Sequence, residues 1–120
     1  MKLQDNLYSI SSIDGLTAEV TLCPGSDIFA AHFPGRPVTP GVCIIGIATE
    51  LLSRITGLSL SLREVVNAKF LAVIDPRESP SVTYSFSRLT RDEAAGSLKA
   101  TAVVSRGDVI FAKLSLLYIA

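Results

Sequence analysis

The chain has 120 residues, 48% of them hydrophobic and 18% charged, with 11 basic and 11 acidic side chains that cancel. A domain of this length buries a core without disulfide or metal staples, and its apolar content excludes a disordered chain. No segment gathers one sign of charge, so a basic nucleic-acid face is excluded as well. Cys23 and Cys43 lie in apolar surroundings without a CxxC spacing and read as two buried thiols. His32 is the single histidine, which leaves no His-rich metal site. The start, Met1 to Asp5, lacks the apolar core of a signal peptide. The longest apolar stretch, Val42 to Leu52, is interrupted by Gly46 and Glu50 and is too short to span a bilayer. Residues 1–120 read as one domain, soluble and cytoplasmic, with no membrane contact.

Leu7 to Ile10 and Leu16 to Leu22 have strand composition, the second alternating as Leu16, Ala18, Val20, Leu22. Asp14-Gly15 between them is a hairpin-turn signal. Cys23-Pro24-Gly25 ends that strand, and the chain from Ser26 to Thr39 reads as irregular. A helix follows. Thr39 fits the N-cap and Pro40 the first helical position, where its missing N–H costs nothing. The body, Val42 to Ile55, is apolar on nearly every face and is expected to be enclosed. Gly57 is a natural stop.

Four strand candidates run to the end: Glu64 to Ile74, Ser81 to Leu89, Ser97 to Ser105 and Val109 to Tyr118. Asp75-Pro76 with Pro80, Arg91 to Gly96, and Gly107-Asp108 separate them. Alternation is clear in Val82, Tyr84, Phe86 and again in Phe111, Lys113, Ser115. Two strands, one apolar helix and four strands imply an α+β domain whose antiparallel sheet wraps around the helix. The helix then keeps a second flank to cover. A second copy of the chain would cover it, so a homodimer is expected.

The run His32-Phe33-Pro34-Gly35-Arg36-Pro37-Val38-Thr39-Pro40-Gly41-Val42 resembles the signature HFPxxPVxPGV of the beta-hydroxyacyl-(acyl carrier protein) dehydratases, placed directly before the central helix. Asn67-Ala68-Lys69-Phe70 is similar to the strand that follows the helix in that family. The resemblance implies a hotdog fold, a six-stranded curved sheet around one long helix, in dimers or assemblies of dimers. It implies active sites at the dimer interface, with a histidine of one subunit facing an acidic residue on the helix of the other. It further implies an acyl carrier protein or coenzyme A thioester as substrate, no cofactor and no metal. By position, His32 is the catalytic residue, and Phe33, Pro40, Gly41 and Gly46 line the substrate site. Lys69 and Arg36 read as solvated, within reach of a carrier's acidic face.

These residue types suit the chemistry. Dehydration removes a proton from C2 of a 3-hydroxyacyl thioester and expels the C3 hydroxyl. A histidine held neutral in an apolar tunnel is a suitable base. Charge building on the thioester oxygen needs a fixed donor, and the start of a buried helix supplies free N–H groups and a favourable dipole. The N–H of Gly41 takes that role by position, and its missing side chain leaves room for the substrate.

One position departs from the family. Its catalytic Glu or Asp lies fourteen residues after the histidine, and here that residue is Gly46. A mid-helix glycine costs about 1 kcal/mol relative to alanine. Glu50 is the only acid in the helix, one turn further on nearly the same face, where the family often has glutamine. Helical side chains lean toward the N-terminus, so Glu50 is expected to lie back over the open space at Gly46 and to act as the acid. The competing reading makes Glu50 a structural carboxyl, bonded to backbone or paired with Arg54. Three functions stay open: a dehydratase, a hotdog acyl thioesterase, and a non-catalytic acyl-binding subunit paired with an active relative.

Overall fold

The computed structural model of the chain describes residues 3–26 and 38–120. Among these the elements run β1 (Tyr8–Asp14), β2 (Thr17–Leu22), α1 (Gly41–Thr56), β3 (Ser61–Phe70), β4 (Ser81–Asp92), β5 (Ser97–Arg106) and β6 (Val109–Ile119). The strands form one sheet in the order β1-β2-β4-β5-β6-β3, with every neighbouring pair antiparallel. β2 lies near one edge and β3 forms the other, so the connection between them must cross a whole face. The helix is that crossing, and the expected α+β sheet-and-helix architecture is the one found.

Period-2 patterning decides which face the helix covers. Ala18, Val20 and Leu22 of β2 are buried, as are Val82, Tyr84 and Phe86 of β4. Leu98, Ala100, Ala102 and Val104 of β5 join them, with Ala112, Leu114, Leu116 and Tyr118 of β6. From the helix, Cys43, Ile44, Ile47, Ala48, Leu51 and Leu52 enter the same core. The helix is therefore buried on one side within a single chain rather than enclosed, and Val42 stands 73% exposed.

β3 is different. Its ten residues are exposed except for half-buried Ala68, although Leu62, Val65, Val66 and Phe70 are apolar. It is also an edge strand, so one row of its backbone groups has no neighbour in the sheet among the described residues. Extra residues in its pairing with β6, at Arg63 and at Val66, make two bulges that increase its twist.

Several sequence boundaries move. The helix begins at Gly41 with Pro40 as its N-cap, because Pro40 is extended (φ −64°, ψ 149°). Thr39 therefore sits one residue too early to cap. At the other end Gly57 stops the helix in a left-handed conformation, and its N–H donates to the Ser53 carbonyl at 2.9 Å. β3 stops at Phe70 instead of Ile74, since the Ile74 carbonyl turns away to accept from the Thr39 N–H at 2.9 Å. In β6 the inward set is Ala112, Leu114, Leu116 and Tyr118, not the Lys113 and Ser115 phase. Phe111 is the extra residue of a bulge opposite Val104 and Ser105, which buries it out of step with Lys113. Cys43 is buried, and burial pushes its thiol above the usual range; Cys23 is only half-buried, just past the end of β2.

Candidate functional site

The site begins at the start of α1. Pro40 carries no side-chain acceptor, so among the described residues no side chain caps the helix, and its first turn has no acidic residue. The first helical bonds run from the N–H groups of Cys43 and Ile44 to the Pro40 carbonyl, both at 3.0 Å. The N–H groups of Gly41 and Val42 precede them and are left to outside acceptors. Beside this end, the Thr39 hydroxyl is buried, at 5% residue exposure, with no hydrogen-bond partner among the described residues.

Gly41 meets Phe70. A Cβ on Gly41 would stand 2.9 Å from the Phe70 ring, closer than any packing allows, so the glycine is what admits the ring. The room that the sequence reserves for a substrate is thus partly walled by Phe70, which is itself half exposed. Nothing local marks this contact, because the two residues lie on different elements and Phe70 reads only as the end of a strand.

Gly46 is covered in the same way by another segment. A Cβ there would lie 2.7 Å from Cδ1 of Leu3. The space at Gly46 is therefore filled rather than open, which corrects the sequence expectation. The physical reason is a preference for burial: Leu3 is an apolar side chain at 5% exposure, and the notch is the apolar surface available to it.

Glu50 holds that segment in place. Its Oε2 accepts the Leu3 N–H at 2.7 Å, and its Oε1 accepts the Gln4 N–H at 2.9 Å and the Tyr8 hydroxyl at 3.0 Å. All three partners donate, so both oxygens act as acceptors. Arg54, the other partner considered for Glu50, is exposed. The carboxyl thus reaches across to the strap Leu3-Gln4 rather than lying over an empty turn.

The other tyrosines also touch the helix. The Tyr84 hydroxyl donates to the Ile44 carbonyl at 2.9 Å, and the Thr49 hydroxyl donates to the Tyr118 oxygen at 3.3 Å. Burial raises all three phenols above their ordinary range, and for Tyr8 the Glu50 carboxylate adds to it. Three hydroxyls from β1, β4 and β6 therefore fix the rotation of one helix in its sheet.

Of the sequence-predicted site residues, Pro40, Gly41, Gly46 and Glu50 lie on or at the start of α1. His32 and Phe33, with Arg36, fall outside the described residues. Lys69 is exposed on β3, as the sequence implies. Sequence reasoning missed Leu3, Tyr8 and Phe70, which the fold brings to the helix from positions far apart in the chain.

Among the described residues, one helix laid across a six-stranded antiparallel sheet defines the hotdog fold. Residues 9–107 match the model of the ApeI-like family, described as ApeI dehydratase, and the chain belongs to that family. A curated relative is the 3-hydroxyacyl-(acyl-carrier-protein) dehydratase FabZ of Herpetosiphon aurantiacus, 29% identical over 92% of this chain and 85% of its own length. The dehydratase heterocomplex ApeI:P of Xenorhabdus doucetiae shares the fold at TM-score 0.59 and 19% identity, covering 98% of this chain and 100% of that one. So does the thioesterase HI1161 of Haemophilus influenzae, at TM-score 0.65 and 16% identity over 94% and 78%. Among the described residues no helix is long and apolar enough to cross a membrane.

Proposed function

We propose that the chain dehydrates 3-hydroxyacyl thioesters, carried on an acyl carrier protein or on coenzyme A, to trans-2-enoyl thioesters. The observation that carries this reading is the start of α1, uncapped among the described residues, whose Gly41 and Val42 N–H groups stand at the end of the His32–Val42 run. Membership of a dehydratase family supports it. In this reading His32 takes the C2 proton while the Gly41 N–H holds the thioester oxygen as charge builds there. The C3 hydroxyl departs as water with a proton delivered at Glu50, the only carboxyl on the helix, in a state in which that carboxyl is no longer held as acceptor by its three donors. Phe33, Pro40 and Gly46 line the acyl group. In this reading the protein works in the cytoplasm, in fatty-acid-type synthesis.

The reading includes a homodimer joined along β3. An edge strand with apolar side chains on both faces is an exposed liability unless another chain pairs with it. Pairing two copies there extends the sheet and covers the outward flank of α1 near Val42.

The test monitors the enoyl product from a short 3-hydroxyacyl thioester on each carrier. Loss in both His32→Ala and Glu50→Gln, each still folded at the assay temperature, is the expected result. Loss in His32→Ala alone removes Glu50 from the mechanism. Free thiol in place of enoyl product identifies a thioesterase instead.

One observation favours a second reading. Gly46 leaves the helix without the family acid, and the ApeI:P structure is a heterocomplex. A non-catalytic acyl-binding subunit would then pair with a chain that brings the acid. Wild-type protein that is inactive alone and gains turnover with such a partner would establish it.

A further inference from the structure

Two features of α1 that the acyl-thioester reading assigns to the substrate are taken by one short segment of the chain itself. Leu3 places an isobutyl group in the notch at Gly46, where a Cβ would be 2.7 Å from its Cδ1. The N–H groups of Leu3 and Gln4, with the Tyr8 hydroxyl, occupy both oxygens of Glu50. An isobutyl group is apolar, as an aliphatic acyl chain is, so the notch accepts the polarity of an acyl tail.

Leu3-Gln4 is joined to β1 by a tight turn. Asp5 has a left-handed backbone (φ 66°), uncommon for a residue with a side chain. The Asp5 N–H donates to the Tyr8 carbonyl and the Leu7 N–H to the Leu3 carbonyl, both at 2.7 Å, the Asn6 N–H also donates to the Leu3 carbonyl at 3.1 Å, and Gln4 bridges to Tyr8. The strap thus has a seat at Gly46 and a catch at Glu50, and lifting it also opens this turn.

We propose that Leu3-Gln4 is an internal competitor for the acyl group: it closes the Gly46 notch and ties Glu50 while the site is empty, and an aliphatic acyl thioester displaces it. Displacement frees the notch and removes both backbone donors from Glu50 together, leaving the carboxyl with the Tyr8 hydroxyl alone, so binding and release of the carboxyl become one event. This rests on the acyl-thioester reading of the site.

Hydrogen exchange at the Leu3 and Gln4 amides tests the idea directly, because both donate to Glu50. The probe is an oxoalkyl pantetheine thioether, which keeps the carbonyl and aliphatic tail and has no scissile thioester. With the probe bound, these two amides are expected to exchange at least about tenfold faster while those of β5 stay protected. Exchange that is unchanged or slower in the bound protein makes the strap a fixed wall and overturns the proposal. In parallel, Leu3→Ala removes the competitor and is expected to tighten probe binding by about tenfold, the gain from unlocking a site that is closed nine-tenths of the time. A merely structural Leu3 would leave affinity unchanged or weaken it. If neither the wild type nor Leu3→Ala binds the probe, the acyl-thioester reading fails together with the strap. Equal binding by both sinks the strap alone.

Discussion

A methyl group added at Gly46 brings two effects of similar size into opposition. Alanine in a helix interior gains about 1 kcal/mol over glycine. Overpacking against the Leu3 Cδ1, 2.7 Å from the new carbon, costs about 1–3 kcal/mol. The clash wins in the native chain, so Gly46→Ala is expected to lower stability by about 1 kcal/mol in urea unfolding. In a Leu3→Ala background the clash is gone, and the same change is expected to stabilise by about 1 kcal/mol. A sign that does not reverse would show that Leu3 is not what Gly46 accommodates. Thr39 offers the opposite case. Its buried hydroxyl has no partner among the described residues, and such a group costs about 1–3 kcal/mol. Thr39→Val keeps the shape, removes the orphan, and is expected to raise the melting temperature.

At the scale of elements, the polar pins between sheet and helix can be removed one at a time. Tyr84→Phe deletes the bond to the Ile44 carbonyl and is expected to cost about 1 kcal/mol, or about 4 °C in melting temperature. For β3 the expected outcome tests the proposed homodimer: the unchanged chain is expected to scatter light as a dimer, and Val65→Lys with Val66→Lys on the exposed edge as a folded monomer. The elements themselves are well marked in the chain. Gly57 ends the helix as read, and the alternation of Val82, Tyr84 and Phe86 faces the core as read. What is local is legible, because propensity, period and turn chemistry act over a few residues. The contacts that shape the site are not local. Leu3 reaches Glu50 across 47 positions of sequence, and no periodicity carries information over that span. The single-residue shift at Thr39 and Pro40 has a nearer cause, since extended backbone at Pro40 decides where helical geometry starts.

Across the whole molecule, alkaline pH should act through the tyrosines. Their folded-state pKa values are raised by burial, so the folded chain holds these protons more tightly than the unfolded one. That contribution is complete below the unfolded value, about 10, and declines as pH rises past it. Melting temperature is therefore expected to be flat at neutral pH, to begin to decline above about pH 8.5 through Cys43, and to fall more steeply above about pH 10. Tyr84→Phe should flatten part of that fall; an identical slope in the variant would assign the loss to other groups.

The chain has three tyrosines and no tryptophan. Every tyrosine hydroxyl meets the helix or a side chain upon it, and each ring is buried in the core. Its near-ultraviolet circular dichroism and intrinsic fluorescence consequently arise around a single element, with no indole emission to mask them. Light alone thus reports whether α1 is seated. Because Tyr8 shares Glu50 with the strap, one of the three chromophores also sits where an arriving acyl chain would disturb it.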